Sequence, residues 1–374
     1  MPPASVAEAL AGFMPALGEQ AQVYLRPLGL MPVAAWAAGA AVPLAGGRHA
    51  FASAEVIVRD RAAITRAIAP LDQIMAWGWQ RGRAVATRLD QLLAALTRRR
   101  EPFGGLDLNR PRLMGIVNVT PDSFSDGGDF FDQATAISHG EALLTAGADW
   151  LDIGGESTRP GAVPIAPAEE LRRVLPIIAH FAGRGVPISI DTRNAKTMRA
   201  ALVAGAAVVN DISALTHDHT AASAVAEAGA AVVLMHMQGE PDTMQEAPHY
   251  DDAALDVFDW LERRVVAAVA AGIPLSRIAV DPGIGFGKTL GHNLDILRQL
   301  SLFHGLGAAL ALGVSRKRFI AALANGAPSP KQRVPGSLAA GLEGLNQGAQ
   351  ILRVHDVGET TQARAVWEAL HPLA

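Results

Sequence analysis

The sequence predicts an α/β protein in which a (β/α)8 TIM barrel follows a smaller α/β amino-terminal extension. Eight short apolar stretches follow one another along residues 106–374, and each leads into a helical pattern. Each stretch is a nearly continuous run of Val, Ile and Leu, which is typical of parallel strands buried on both faces. Eight such units in about 250 residues match a closed barrel. We therefore divide the chain into an extension, residues 1–105, and a barrel, residues 106–374.

The eight predicted strands share a polar residue at the point where each strand ends. The strands lie within residues 113–128, 150–158, 187–193, 208–213, 231–237, 277–283, 309–317 and 350–356. The polar residues at their carboxyl ends are Asn118, Glu156, Asp191, Asn210, His236, Asp281, Lys317 and His355. Active sites of such barrels are built on this rim, so we expect the chemistry there.

The extension contains one predicted strand and one predicted helix. Residues 52–60 read ASAEVIVRD, a strand-like pattern. Residues 71–100 contain no proline and repeat apolar residues mainly every three, four or seven positions, which predicts one long helix. That helix would end in Arg98, Arg99 and Arg100, and we favour a solvated helix end over a phosphate or nucleic-acid contact. Residues 101–112 are then a linker.

The composition excludes several classes of protein. With 50% hydrophobic residues, 18% charged residues and a net charge of -4, the chain can bury a large core, and no nucleic-acid partner is expected. The absence of cysteine excludes disulfides, thiolate metal sites and a cysteine nucleophile. The first residues lack a basic region, so no secretory signal is expected. Residues 27–47 are uncharged, but their Ala, Gly and Pro content favours packing against the extension over a membrane span.

The first predicted strand leads into the most informative segment, residues 113–128, which reads LMGIVNVTPDSFSDGG. This segment offers side-chain oxygens to a cation on Asn118 and Asp122. It offers hydroxyl groups on Thr120, Ser123 and Ser125. The two glycines that follow let the loop bend and move, which is typical of a functional loop.

Eight motifs between residues 112 and 370 resemble, in order, those of the dihydropteroate synthase family. They read MGIVNVTPDSFSDGG, GGESTRPG, SIDTR, VNDI, LMHMQG, DPGIGFGK, GVSRKRF and RVHDV. Members of that family condense (7,8-dihydropterin-6-yl)methyl diphosphate with 4-aminobenzoate, releasing diphosphate and forming 7,8-dihydropteroate for folate synthesis. The resemblance implies this transferase activity, Mg2+ as the cofactor and two small-molecule substrates. It also implies a cytoplasmic homodimer with neither a nucleic acid nor a membrane as partner.

The resemblance assigns the pterin to residues at the strand ends: Asp191, Asn210, Met235, Asp281 and Lys317. Asp281 would accept two N–H groups of the amino-pyrimidine edge, and Asn210 and Asp191 would meet the remaining ring nitrogens. Lys317 would donate to the ring carbonyl and its neighbouring nitrogen, and Met235 would pack on the ring face. A buried polar edge must be matched, since each unmatched group costs about 1–3 kcal/mol. For Asp191 and Asn210, a bond to loop backbone is the alternative role.

Departure of the diphosphate needs positive charge and hydrogen bonds on the leaving oxygens. The resemblance assigns this task to Asn118, Thr158, Arg159, Arg353 and His355, with Asn118 as the Mg2+ ligand. Arg353 and His355 are two positions apart on one strand, so both side chains should hold the same phosphate. His236 is open to a phosphate contact or to a buried role. The pterin methylene becomes cationic as diphosphate leaves, so positioning is needed and no general base is expected.

Two loops should close the site, after the first and second strands. In the family, the equivalents of Phe124, Asp126, Thr158, Arg159 and Pro160 order around the leaving group and form the aminobenzoate pocket. Phe286 and Lys317 also contribute to that pocket. The catalytic residues that the resemblance implies are Lys317, Asp191, Arg159, Asp126 and Phe124. Sulfonamides, which mimic 4-aminobenzoate, are expected to bind there.

Some features depart from the family pattern or suggest other functions. Arg318 stands where many members carry serine, which we interpret as a change in affinity for aminobenzoate, and the extension is absent from compact members. Residues 283–289, GIGFGKT, look like a P-loop but lack its first glycine. A lysine such as Lys317 could form a Schiff base, although the surrounding pterin-matching residues argue against it. The alternative functions are a pterin-binding methyltransferase and a non-catalytic pterin-binding paralogue.

Overall fold

The amino-terminal extension folds, in its described part, into two small antiparallel sheets and three helices. In the computed structural model of the protein, the structure describes residues 10, 12–13, 15, 17–18, 20–119, 133–156, 165–324 and 329–373. The elements of the extension are β1 (Gln22–Leu28), β2 (Met31–Pro32), α1 (Ala34–Ala37), β3 (Val42–Pro43), β4 (His49–Phe51), β5 (Ser53–Asp60), β6 (Ala63–Pro70), α2 (Leu71–Arg81) and α3 (Arg83–Thr97). The strand orders are β1-β5-β6 and β2-β4-β3. The predicted strand at residues 52–60 is confirmed as β5.

The uncharged segment at residues 27–47 contains the short elements β2, α1 and β3. β2 and β3 both pair with β4, so the segment forms one of the two small sheets. Across the described residues, no helix combines the length and the apolar character that a membrane span requires.

The single long helix predicted for residues 71–100 is wrong, because the chain turns at Gly82. This glycine separates α2 from α3 and has φ 112° and ψ 165°. Glycine adopts such a backbone without strain, so the helical periodicity continues on both sides while the chain changes direction. The two helices approach closely at Gly78, where a Cβ atom would lie 2.5 Å from Leu89 Cδ1.

Eight parallel strands close into a barrel in the order of the sequence. They are β7 (Arg112–Asn118), β8 (Trp150–Gly154), β9 (Ile188–Asp191), β10 (Val208–Asp211), β11 (Ala231–Met235), β12 (Ile278–Asp281), β13 (Ala309–Leu312) and β14 (Ile351–Val354). β14 pairs with β7 and closes the barrel. The predicted (β/α)8 fold is therefore confirmed.

Helices cover the outer face of the barrel. They are α4 (Gln133–Thr145), α5 (Pro167–Ala182), α6 (Ala195–Val203), α7 (Ala221–Ala228), α8 (Ala253–Ala270), α9 (Leu290–Arg298), α10 (Arg318–Leu323), α11 (Val334–Asn346) and α12 (Val357–Leu370). Short 3-10 helices form at Leu275–Arg277, Leu300–Leu306 and Pro330–Arg333. With helices outside and packed side chains inside, both faces of the strands are buried, which explains their nearly continuous apolar sequences.

The segment predicted to be a linker plugs the amino end of the barrel. Phe103 is fully buried and belongs to the apolar cluster inside the barrel, where it packs edge-on against Trp150. The Trp150 indole donates to Gly104 O at 3.1 Å. Arg100, predicted to be solvated, is instead buried and donates to His304 O at 3.0 Å. The amino end of the barrel is therefore filled by packed side chains, as the prediction of a site at the carboxyl rim requires.

The extension shares one hydrophobic core with the outer layer of the barrel. Tyr24 of β1 packs edge-on against Phe258 of α8, with ring centroids 5.5 Å apart. The Tyr24 hydroxyl also donates to Asp259 at 3.0 Å. Arg59 of β5 pairs with both Asp256 and Asp259. The extension is thus bound to α8 by apolar contacts and by ion pairs that are largely withdrawn from water.

Replacing Arg59 with alanine should weaken this junction, because the buried Asp259 carboxylate would lose its cationic partner. We expect Arg59→Ala to lower the free energy of unfolding by about 2–3 kcal/mol. Urea denaturation would measure the loss. The control is Arg199→Ala, which removes an exposed ion pair with Glu227 and should change stability by less than about 0.5 kcal/mol. Equal losses in the two variants would contradict the described junction.

Candidate active site

The carboxyl rim brings together five polar side chains from five strands or their loops. Asp191, Asn210 and Asp281 lie at or near the ends of β9, β10 and β12, and all three are buried. Arg353 lies on β14, and Lys317 follows β13 at the start of α10. Four of the five were predicted from the sequence to bind the pterin. They converge because parallel strands of a barrel end on the same rim.

Arg353 forms the centre of this cluster and bridges two buried carboxylates. Its Nε lies 2.6 Å from Asp152 Oδ2, and its terminal Nη2 lies 2.6 Å from Asp191 Oδ2. Asp152, which is fully buried in the middle of β8, also accepts from Asn210 Nδ2 at 3.2 Å. Burial of the two carboxylates is favoured because the guanidinium donates to one oxygen of each.

The same arrangement shifts the titration of Asp191. Burial raises the pKa of the Asp191 carboxyl to about 7, the Arg353 guanidinium opposes the rise and the Asp152 carboxylate adds to it. The two carboxylates keep the pKa of Arg353 above its usual value despite its burial. Arg353 therefore stays charged while Asp191 exchanges a proton near neutral pH.

Asn210 is oriented by its bond to Asp152. Because its amide nitrogen donates to that carboxylate, its amide oxygen remains available as an acceptor. The alternative role of Asn210, a bond to loop backbone, is not what its described contact shows. Asp191 likewise contacts the Arg353 side chain rather than loop backbone.

Asp281 and Lys317 complete the described part of the cluster. Asp281 Oδ1 accepts from Gly283 N at 2.7 Å, and burial raises the pKa of this carboxyl. Burial and the nearby Arg353 lower the pKa of Lys317 to about 8, against the influence of Asp281 and Asp191. The Lys317 ammonium lies 4.0 Å from the centroid of the Phe286 ring, a cation–π distance. Met235 ends β11 and is buried.

The described residues that are predicted to hold diphosphate differ in their burial and in their hydrogen-bond partners. Asn118 is half-buried at the end of β7. His355 Nδ1 lies 3.1 Å from Ser315 Oγ, beyond the end of β14. Arg353 is engaged by two carboxylates, and its shared contact with His355 on one phosphate stays a prediction. Thr158, Arg159, Pro160, Phe124 and Asp126 lie outside the described residues.

Two buried residues of the site were missed by the sequence interpretation. Asp152 is a single acid within the apolar strand sequence WLDIG, and that contrast was the available signal. Lys288 belongs to the P-loop-like stretch and was set aside with it. Its amino group is buried 2.9 Å from His236 Nδ1, so His236 takes the buried role. Arg318 is exposed at the first position of α10.

Comparisons with known proteins agree with this geometry. A family model described as pterin binding enzyme matches residues 114–355. Dihydropteroate synthase of Neisseria meningitidis is 48% identical over 270 residues, covering 71% of this chain and 94% of the relative. That of Escherichia coli is 46% identical and covers 71% and 93%. The chain belongs to the dihydropteroate synthase family.

Solved structures of the family show the same barrel. A Xanthomonas albilineans dihydropteroate synthase with 4-aminobenzoic acid has 48% identity and a TM-score of 0.67, covering 72% of this chain and 96% of that chain. The same organism's enzyme in complex with 7,8-dihydropteroate has a TM-score of 0.65, at 46% identity. The comparisons thus support dihydropteroate synthase function, a transferase activity of folate biosynthesis, for this chain, and they disfavour the methyltransferase and paralogue alternatives. Its extension lies outside the matched family model.

Removing the Arg353 guanidinium should destabilise the fold as well as the site, because it leaves the buried Asp152 and Asp191 carboxylates without the cation that pairs with both. We expect Arg353→Ala to lose about 3–5 kcal/mol of unfolding free energy near pH 8. A folded-state pKa above the unfolded value means that stability falls as pH rises. The loss should therefore be smaller near pH 5, where the Asp191 carboxyl binds a proton.

Urea denaturation at both pH values would measure this difference. Arg298→Ala, which removes an exposed arginine at the end of α9, is the matched control and should show almost no loss at either pH. A loss in Arg353→Ala that is independent of pH would contradict the assigned carboxylate pairing.

Proposed function

We propose that the carboxyl rim of this barrel binds the pterin diphosphate and 4-aminobenzoate and joins them by positioning and electrostatic stabilisation, without a general base. The observation that supports this is the convergence of Asp191, Asn210, Asp281, Lys317 and Arg353 on one rim. Together they present buried acceptors and donors on a small surface. A flat heterocycle with alternating donors and acceptors is the ligand that such a surface matches.

In this proposal the amino-pyrimidine edge of the pterin donates to Asp281. The free amide oxygen of Asn210 and the carboxyl of Asp191 meet other ring nitrogens, and the Lys317 ammonium donates to the ring carbonyl. Met235 covers one face of the ring. Arg353 acts mainly by holding Asp191 and Asp152 in place, and its charge favours departure of the nearby anionic leaving group.

The bond between the pterin methylene and the diphosphate oxygen breaks, and its electron pair leaves with the diphosphate. The lone pair of the arylamine nitrogen then forms the new bond to the methylene, and the amine proton passes to solvent. Neither step requires a strong base, since the cationic methylene is a strong electrophile. His355 and Asn118 would contact the leaving group. Thr158 and Arg159, which lie outside the described residues, would also contact it.

A magnesium ion fits the donor chemistry of this rim. Asn118 supplies one neutral amide oxygen, and its side chain makes no hydrogen bond to the described residues. Among these residues there is no cluster of three or more acidic, histidine or cysteine ligands. Magnesium typically keeps several waters and shares substrate phosphates with one or two protein oxygens. Asn118 would hold the ion, which would neutralise charge on the diphosphate.

The second substrate would stack near Phe286 and Lys317. The aromatic ring and the ammonium lie side by side and offer a flat apolar wall and a positive charge. Phe124, Thr158, Arg159 and Pro160 would complete the pocket, and Arg318 stands at its exposed side. We propose that sulfonamides compete with 4-aminobenzoate here. On the family resemblance we also propose that the protein is a cytoplasmic homodimer. Light scattering in solution would measure the mass of the dimer.

The direct test is an assay with the pterin diphosphate, 4-aminobenzoate and magnesium, in which diphosphate and 7,8-dihydropteroate are followed together. Equal amounts of both products are expected, with loss of turnover when magnesium is chelated or a sulfonamide is added. Lys317→Ala should lower kcat/KM by at least about a hundredfold, because it removes the ring-carbonyl donor. Arg298→Ala is the matched control and should keep full activity. Retained activity in Lys317→Ala would contradict the site assignment.

The pH dependence of the free enzyme follows from the two shifted groups. If ionised Asp191 and protonated Lys317 are both needed, kcat/KM for the pterin diphosphate should rise through an apparent pKa of about 7 and fall through about 8. The two values belong to the coupled cluster. Lys317→Arg should lower the rate and remove the alkaline fall. A profile that is flat from near pH 6 to near pH 9 would contradict these roles.

A further inference from the structure

The loop that follows β12 is curled tightly against the chain after β11. Gly283 and Gly287 have φ values of 68° and 59°. A Cβ atom at Gly283 would lie 1.9 Å from His236 O, and one at Gly287 would lie 2.3 Å from Gln238 O. Only glycine permits these positive φ values together with such close approach. The P-loop-like sequence GIGFGKT therefore specifies contact with the neighbouring backbone.

Lys288 closes this curl from inside the protein. Its Nζ donates to Gly283 O at 2.9 Å, to Phe286 O at 3.0 Å and to His236 O at 3.3 Å, and it lies 2.9 Å from His236 Nδ1. The residue is only 3% exposed. A lysine amino group has at most three N–H donors, and four acceptors already surround this one. No donor remains for a substrate phosphate, so Lys288 differs in role from a P-loop lysine.

The state of His236 is consistent with this arrangement. Burial and the adjacent Lys288 lower the pKa of His236 well below its usual value. A neutral ring whose Nδ1 accepts from Lys288 carries its proton on Nε2. His236 is thus an anchor for the lysine, and the lysine joins the end of β11 to the loop after β12.

The loop held by Lys288 carries one wall of the proposed aminobenzoate pocket. Phe286 O is bound by the lysine, and the Phe286 ring lies beneath the Lys317 ammonium. A Cβ atom at Gly285 would lie 3.3 Å from Lys317 Cδ, so the loop backbone also packs directly on that side chain. Besides Lys288, Tyr250 also holds this loop, because its hydroxyl donates to Gly287 O at 2.7 Å.

We propose that Lys288 is a positioning residue for the second substrate, whose amino group holds the glycine-rich loop in the curl that places Phe286 against Lys317. Lys288 acts through Phe286 and touches neither substrate. The inference rests on the proposed placement of 4-aminobenzoate at Phe286 and Lys317. Without the amino group, the carbonyl oxygens of His236 and Phe286 lose their described donor, and Gly283 O keeps only the Phe286 N–H at 3.1 Å. The Phe286 wall is then free to move away from Lys317.

The test is the full chain carrying Lys288→Met, which keeps the length of the side chain and removes the amino group. The KM for 4-aminobenzoate should rise about tenfold or more, while the affinity for a pterin analogue, measured by calorimetry, stays within about twofold. Arg298→Met is the matched control and should change neither value. An unchanged KM for 4-aminobenzoate, or equal losses for both ligands, would overturn the proposal.

A double variant separates positioning from a general structural effect. If Lys288 acts through Phe286, then Phe286→Ala combined with Lys288→Met should be no worse for 4-aminobenzoate than Phe286→Ala alone. Additive effects would overturn the proposal. If Lys288→Met does not fold, Tyr250→Phe decides alone. It loosens the same loop and should raise the same KM by about threefold, and an unchanged KM there would overturn the proposal.

Inactivity of the wild-type chain would instead mean that the proposed function fails. That outcome is distinguishable, because it appears before any variant is compared. An active wild type with an unaffected Lys288→Met leaves the function in place and removes only the positioning role.

Discussion

The active end of this barrel depends on one guanidinium group shared by two buried carboxylates. Arg353 connects β14, the last strand, to β8 and β9. In the barrel, β7 lies between β14 and β8. This ion-pair bridge compensates charges that would otherwise oppose burial. The Asp152 carboxylate also accepts a hydrogen bond from the Asn210 amide nitrogen, which fixes the orientation of that amide. The pattern of hydrogen-bond donors and acceptors offered to a ligand is therefore set by contacts within the protein itself. A rim organised in this way is preorganised, so little rearrangement is needed when charge develops in the reaction.

Two lysines at this end of the barrel, Lys317 and Lys288, show how burial separates two roles. Lys317 borders the site and retains a proton that it exchanges in the neutral to alkaline range. Lys288 is enclosed by carbonyl oxygens, where its donors are consumed by backbone. Identical side chains thus act as a ligand contact and as a structural brace. The difference comes from the surroundings of each lysine. Three glycines, at positions 283, 285 and 287, allow the loop after β12 to enclose Lys288.

Much of this organisation could be predicted from the sequence, since strands buried on both faces leave unmistakable apolar runs and their ends collect polar residues. The eight strands and the convergence of Asp191, Asn210, Asp281 and Lys317 followed from that pattern. The break at Gly82 did not, because periodicity is blind to a change of direction between two helices. The bridge from Arg353 to Asp152 joins residues 201 positions apart, and no local pattern encodes such a partner. Lys288 was overlooked, because the P-loop-like stretch that contains it was rejected as a phosphate site and was given no other role.

The junction of the extension with α8 has a consequence for how the chain is made. Tyr24 meets Asp259 across 235 positions, and Arg48 meets His371 O across 323 positions. During synthesis the extension emerges before the barrel, whereas α8, which packs on it, emerges only after β11. Its sheet must therefore wait with exposed hydrophobic side chains, and contacts of this range are slow to form. The extension precedes the barrel in the sequence, yet it is thus among the last parts of the protein to reach its native surroundings.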